Sequence, residues 1–150
     1  MISMGSYNKD WHSDSSAIKN LVNDQLIAWN RNDLKGVLAG YSLSKDLTIS
    51  SNGKFSRGFE SIHRSYKFHY LSNADEESST LGTIELSQPM EIICQSADSA
   101  CTIGLFKLVE NSGQVVQHLT STLVFKRTAA SSTKWNGWRI VHEHTSSQCE

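Results

Sequence analysis

Arg139, His142, Glu143 and His144 crowd into one run near the end of the chain, Gly137-Trp138-Arg139-Ile140-Val141-His142-Glu143-His144-Thr145-Ser146. On a strand, side chains alternate between faces, so Arg139 and Glu143 share one face and the two histidines share the other. A carboxylate can serve as general acid or base, and a guanidinium can anchor an anion. These two lie about 13 Å apart at roughly 3.3 Å per residue, so they pair only if both side chains lean together. Histidines two positions apart aim their rings the same way, which suits a metal ion. His118 has the same parity on the preceding strand, but the expected pairing sets Thr120 and Thr122 against the histidine pair. The third ligand is therefore out of register. Packing or hydrogen bonding at an interface is the simpler role for His142 and His144, and neither metal nor cofactor is expected.

Other chemistry is scarce. Trp29, Tyr41, Tyr66 and Tyr70 fall on helix faces, where aromatic rings fill a core and can turn a polar tip toward a pocket. No Gly-x-Ser-x-Gly elbow, phosphate-binding loop, zinc-finger spacing or EF-hand occurs.

The elements that must position these residues follow from periodicity. Ile18, Leu21, Val22, Leu26 and Trp29 form one helical stripe, with Ser13, Asp14 or Ser15 as candidate caps. Asn30 to Asp33 ends that helix, and Asp33 can cap a second through Leu34, Val37, Leu38 and Tyr41. Leu47 to Ser50 reads as a strand, Asn52-Gly53 as a hairpin turn, and Lys54 to Arg57 as the returning strand. Phe59, Ile62, Tyr66 and Tyr70 mark a third helix after Gly58, followed by a polar loop over 72–80. Long strands are expected over 81–95, with Pro89 signalling an edge or bulge, and over 100–110, 115–127 and 137–146. Helices first and an antiparallel meander last mean α+β, with helices covering one face of a curved sheet. Such a sheet leaves a concave cavity, a common site for small molecules.

The chain has 150 residues, 38% hydrophobic and 19% charged, with net charge −1. That is the size of one domain, expected over 14–147, with a loose segment over 1–13 and a tail over 148–150. Near-zero charge argues against a nucleic-acid or membrane partner. No apolar run reaches the length of a membrane span and no signal peptide is visible. With an odd count of three cysteines, Cys94, Cys101 and Cys149, the expected compartment is the cytoplasm. A tight turn over Ala97 and Asp98 makes Cys94 and Cys101 direct cross-strand neighbours, expected as two buried thiols.

The closing run 137–146, Gly58 before the third helix, Tyr66 and Tyr70 within it, and Asp98-Ser99-Ala100 opening a middle strand together resemble one superfamily. It is the nuclear transport factor 2-like superfamily, in its SnoaL-like and ketosteroid-isomerase-like branch. The resemblance covers roughly residues 15–147. More distantly, the last strand resembles the association domain of calcium/calmodulin-dependent kinase II.

The resemblance implies a cone-shaped α+β barrel, also described as cystatin-like, usually dimeric through its sheet, with a pocket between sheet and helices. It implies that Arg139, Val141, Glu143 and Thr145 face the pocket, leaving Trp138, Ile140, His142 and His144 on the outer face. Glu143 is then the candidate catalytic acid/base; the alternative is a buried carboxylate satisfied by Tyr66, Tyr70 or a backbone donor. The candidate pocket residues are Trp29, Tyr41, Ser51, Tyr66, Tyr70, Phe106, Leu119, Ser121, Leu123, Arg139 and Thr145. By order along the chain, the ketosteroid-isomerase tyrosine falls near Gln25, its base near Ser51 and its buried acid on Leu119 to Leu123. None carries the needed group, which argues against steroid-type isomerisation. Three functions stay open: a binding or accessory protein for a small apolar organic ligand, a cofactor-free isomerase, lyase or hydrolase using Glu143, and an oligomerisation module.

Overall fold

The computed structural model describes residues 11–73, 82–128 and 134–149, with the side chains of the third helix described as far as Tyr66. The elements are α1 (Trp11–Asn30), α2 (Leu34–Leu38), β1 (Thr48–Ser51), β2 (Lys54–Arg57), α3 (Phe59–Asn73), β3 (Thr83–Leu86), β4 (Glu91–Cys94), β5 (Ser99–Val109), β6 (Val115–Arg127) and β7 (Trp138–Cys149). α3 takes in Ser72 and Asn73 from the loop expected over 72–80; the rest of that loop and most of the one over 129–136 lie outside the described residues.

The strands form one sheet in the order β2-β1-β7-β6-β5-β3, with β4 also paired to β5. All neighbours are antiparallel except β1 and β7. The sheet is curved but unclosed, so the expected barrel is open at its β2 and β3 edges. The helices lie on one face of it. Ile18, Leu21 and Val22 of α1 and Val37 and Leu38 of α2 pack with Leu123, Phe125, Trp138 and Ile140 of the sheet. Trp138 and Phe125 are the largest fully buried side chains.

Local signals account for the turns. Asn52 and Gly53 take positive φ values of 49° and 86°, the geometry a two-residue hairpin requires. Asp33 accepts a 3.0 Å bond from the Gly36 N–H and caps α2 as expected.

Four expectations change. First, the chain is already helical at Trp11, the first described residue, so Ser13, Asp14 and Ser15 lie inside α1. Asp14 is only 1% exposed and is turned into the core. It accepts hydrogen bonds from Arg127 at 2.5 Å and from the Trp138 indole N–H at 3.2 Å.

Second, the strand expected over 81–95 is broken. β3 pairs with the end of β5 and β4 with its start, leaving Ser87 to Met90 between them. Pro89 within this gap has no N–H to give to a ladder.

Third, Cys94 pairs with Ala100, and Cys101 pairs with Ile93. The Gln95 and Ser96 N–H groups both donate to the Ser99 carbonyl, which slips the register by one residue. Side chains one position out of register point to opposite faces. Cys94 is accordingly buried, Cys101 is half-buried on the outer side, and no disulfide joins them.

Fourth, β7 runs on to Cys149, opposite Gln117, so Gln148 and Cys149 of the expected tail lie within the strand.

The feature that matters most for the site is a bulge in β7. Val124 pairs with His142, but Phe125 pairs with Ile140, so Val141 has no opposite number on β6. An extra residue inverts the alternation of side chains along the strand. Before the bulge Trp138 and Ile140 point to the helices and are 0% exposed; after it Glu143 and Thr145 point that way. The outward placement expected for Trp138 and Ile140 is thereby corrected.

Candidate functional site

Two rows of side chains cross the concave face where β2, β1, β7, β6 and β5 pair. One row reads Lys54, Ser51, Thr145, Ser121 and Gly104; the next reads Ser56, Ile49, Glu143, Leu123 and Thr102. Above these rows lie Trp29 of α1, Tyr41 just after α2, and Ile62, Ser65 and Tyr66 of α3.

The space between sheet and helices divides into two chambers. The outer one, about 450 Å³, is lined by Ser51, Asn52, Lys54, Ser56 and Ser65 together with Ile49 and Ile62. The inner one, about 170 Å³, is mainly apolar, with Val22, Leu26, Val37, Ile84, Phe106, Leu119 and Leu123 in its wall. Trp29, Tyr66, Glu143 and Thr145 line both and stand at the boundary. The Phe106 ring leans over Gly104, where any Cβ would fall 2.6 Å from it. That glycine gives the ring its place in the inner wall.

Glu143 is the centre of a hydrogen-bond network. Tyr41 donates to its Oε1 at 2.5 Å and Thr145 donates to its Oε2 at 3.1 Å. The Thr145 hydroxyl also lies 3.1 Å from that of Ser121, and the Tyr41 hydroxyl 3.4 Å from that of Tyr66. Each hydroxyl has one proton. Thr145 can give its own to Glu143 or to Ser121 Oγ, and with the Tyr41 proton on the carboxylate Tyr66 can donate to Tyr41.

Two effects oppose each other there. Burial disfavours the charged carboxylate and raises the Glu143 pKa; the bonds from Tyr41 and Thr145 and the nearby His142 pull it back only in part. Burial also drives the Tyr41 pKa well up, and the Glu143 charge adds to this, so Tyr41 remains a proton donor. The cradle can hold a carboxyl that changes protonation or binds a polar group of a ligand. Tyr41 and Thr145 bond Glu143 directly; of the donors expected for it, Tyr66 lies against the Tyr41 hydroxyl and the Tyr70 side chain is outside the described residues.

Of the residues singled out from the sequence, Trp29, Tyr41, Ser51, Tyr66, Phe106, Leu119, Ser121, Leu123, Glu143 and Thr145 all line the chambers. The Tyr70 side chain lies outside the described residues. Arg139 is off the chamber walls: it precedes the bulge, donates to the Lys134 and Trp138 carbonyls and lies over the Trp135 ring. Gln25 lines the inner chamber and bonds the Val37 carbonyl.

The histidines are spread by register. His144 faces Thr122 and His142 faces Val124, whereas His118 faces Gln148. His142 Nδ1 lies 2.6 Å from the Thr48 hydroxyl. Among the described residues no three of His, Cys, Asp and Glu are grouped to hold a metal.

Sequence reasoning missed Lys54 and Ser56. Their signal was present: β2 alternates Lys54 and Ser56 with Phe55 and Arg57, and the Asn52-Gly53 turn sets Lys54 opposite Ser51.

A scan of protein-family models finds no match to the chain, nor does a search of curated proteins. Solved structures do match. A nuclear transport factor 2-like protein of unknown function from Shewanella oneidensis MR-1 is 26% identical, with 88% of this chain and 98% of that one covered and a TM-score of 0.71. A candidate ketosteroid isomerase from Parabacteroides distasonis ATCC 8503 is 18% identical over 86% and 83% of the two chains, TM-score 0.62. A candidate calcium/calmodulin-dependent protein kinase type II association domain from Thiobacillus denitrificans ATCC 25259 is 14% identical over 85% and 92%, TM-score 0.62. Further neighbours are described as cystatin-like. Their shared architecture is the one built above, helices over one face of a curved sheet, and by that fold the chain belongs to the nuclear transport factor 2-like superfamily.

Proposed function

We propose that the protein binds a small organic molecule across the two chambers, with Glu143 as the polar contact at their boundary. The observation that carries this is the juxtaposition of a mainly apolar inner chamber with a single carboxyl held ready by Tyr41 and Thr145. Ligand sites are typically apolar concavities with a few convergent polar groups. An apolar cavity of about 150 Å³ can hold a benzene molecule, so the inner chamber has room for one ring or a short branched chain. The test is an NMR titration of labelled protein with 4-phenylbutanamide. Shifts are expected at the Trp29 indole and at the Leu123 and Thr145 amides, and Leu119→Trp, which fills the inner chamber, should abolish them. No shifts at millimolar probe, or unchanged shifts in the Leu119→Trp protein, refute the reading.

A second reading is acid/base catalysis by Glu143 in a cofactor-free isomerase, lyase or hydrolase. The burial-raised pKa of a carboxyl open to both chambers favours it. Glu143→Gln separates the two readings: a binding site keeps its ligand, whereas an enzyme keeps its ligand but loses turnover.

The outer face of the sheet supports a homodimer. Its two central rows, Ser50, His144, Thr122, Ile103 and Thr48, His142, Val124, Cys101, carry no Asp, Glu, Lys or Arg. Depletion of formal charge is typical of interface cores. Among the described residues no helix is long and apolar enough to cross a membrane.

A further inference from the structure

Among the described residues that line either chamber, Lys54 is the one lysine or arginine. Its position is a consequence of register. It pairs with Ser51, which pairs in turn with Thr145, so all three side chains fall on the concave face. Its strand neighbours Phe55 and Arg57 take the other parity, and the Arg57 guanidinium lies over the Phe55 ring. Among the described residues Lys54 forms no ion pair; the outer chamber is otherwise lined by the neutral polar groups of Ser51, Asn52, Ser56 and Ser65, with the Glu143 carboxyl and Thr145 at its boundary with the inner chamber. Asn52 is itself occupied: its side chain bonds both the hydroxyl and the N–H of Ser147. The outer chamber thus presents an ammonium among neutral hydroxyls, at the end opposite the apolar inner chamber.

We infer that the ligand is an amphipathic organic anion, with its carboxylate-type head at Lys54 in the outer chamber and its apolar end in the inner one. The inference rests on the reading of the chambers as a ligand site and adds the charge and polarity of what enters. The dimensions agree. From Lys54 to Ser121 the row crosses three strand spacings, about 14 Å at roughly 4.8 Å each. A flexible four-carbon lysine stem shortens the span the ligand must bridge. The Ser51 and Thr145 hydroxyls lie along the row between the two ends, and Glu143 lies beside it. A cation in a concave site also draws anions toward the mouth.

The experiment compares two probes of nearly the same shape, 4-phenylbutanoate and 4-phenylbutanamide, by calorimetry at low and high salt. Both should bind, the carboxylate about five-fold more tightly at low ionic strength, with the advantage shrinking as salt screens it. Lys54→Gln should remove the preference, bringing carboxylate affinity down to that of the amide; Lys54→Arg should restore it. Lys54 is exposed at the start of an edge strand, and matched thermal unfolding of the variants checks that they fold. Equal binding of the two probes, or a carboxylate preference that survives Lys54→Gln, overturns the anionic head group while leaving the ligand site intact. Failure of both probes to bind overturns the ligand site and this inference with it.

Discussion

Tyr41→Phe isolates the contact on which the site turns. The ring is 3% exposed and keeps its packing in the variant; what goes is the hydroxyl that donates to Glu143 Oε1. A hydrogen bond to an ionised group is worth about 1.5–3 kcal/mol, and one between neutral groups about 0.5–1.5 kcal/mol. The cost of the variant should therefore depend on pH. Burial sets the Glu143 pKa of the folded protein above that of the unfolded chain. The folded state thus holds this proton more tightly, and its advantage is complete below the unfolded carboxylate value of about 4.3 and lost as pH rises through the folded value. Removing the Tyr41 donor weakens the ionised form further and moves the folded value up again. The loss of stability in Tyr41→Phe should be near 0.5–1.5 kcal/mol at about pH 4 and approach 1.5–3 kcal/mol at about pH 8. Urea unfolding at the two pH values measures the difference, and a carbon-13 titration of the Glu143 carboxyl measures the change in pKa directly. A cost that is the same at both pH values, or a Glu143 pKa that falls in the variant, would refute the donor arrangement derived above.

Two further perturbations test the frame that holds the site. Asp14→Ala strips the Arg127 guanidinium and the Trp138 indole N–H of a shared acceptor; with Arg127 26% exposed and able to reach water, a loss of about 2–3 kcal/mol is expected in denaturant unfolding. Conversely, the Thr102 hydroxyl is buried with no hydrogen-bond partner among the described residues, so the isosteric Thr102→Val should raise unfolding stability by about 1 kcal/mol, and a fall in the urea midpoint would show that the hydroxyl is satisfied in solution.

Residues close in sequence carried most of the architecture. That Leu119, Ser121, Leu123 and Phe125 of β6 share one face is legible from their spacing, because strand parity depends only on the strand itself. Asn52-Gly53 and Asp33 declared their turn and cap, since each acts through backbone groups within a few residues. The aromatic stripe likewise placed Trp29 and Tyr66 at the cavity. Breaks in regularity were harder. The apolar Trp138 and Ile140 stand on one parity and Val141 on the other, and that conflict is the trace of the bulge. The resemblance carried Arg139 to the pocket with Glu143 and Thr145, but the change of phase between them puts it off the chamber walls.

What the sequence determined, then, is the order of the elements and the face each regular strand presents, because propensity, turn chemistry and periodicity are local. Tertiary structure alone decided which groups meet. Tyr41 reaches Glu143 across 102 positions of chain only because α2 delivers it over the point where β7 changes phase. Lys54 enters the outer chamber because β1 lies parallel beside β7 and carries its hairpin partner with it. Such meetings are set by long-range packing and register, where one extra residue moves a side chain to the opposite face.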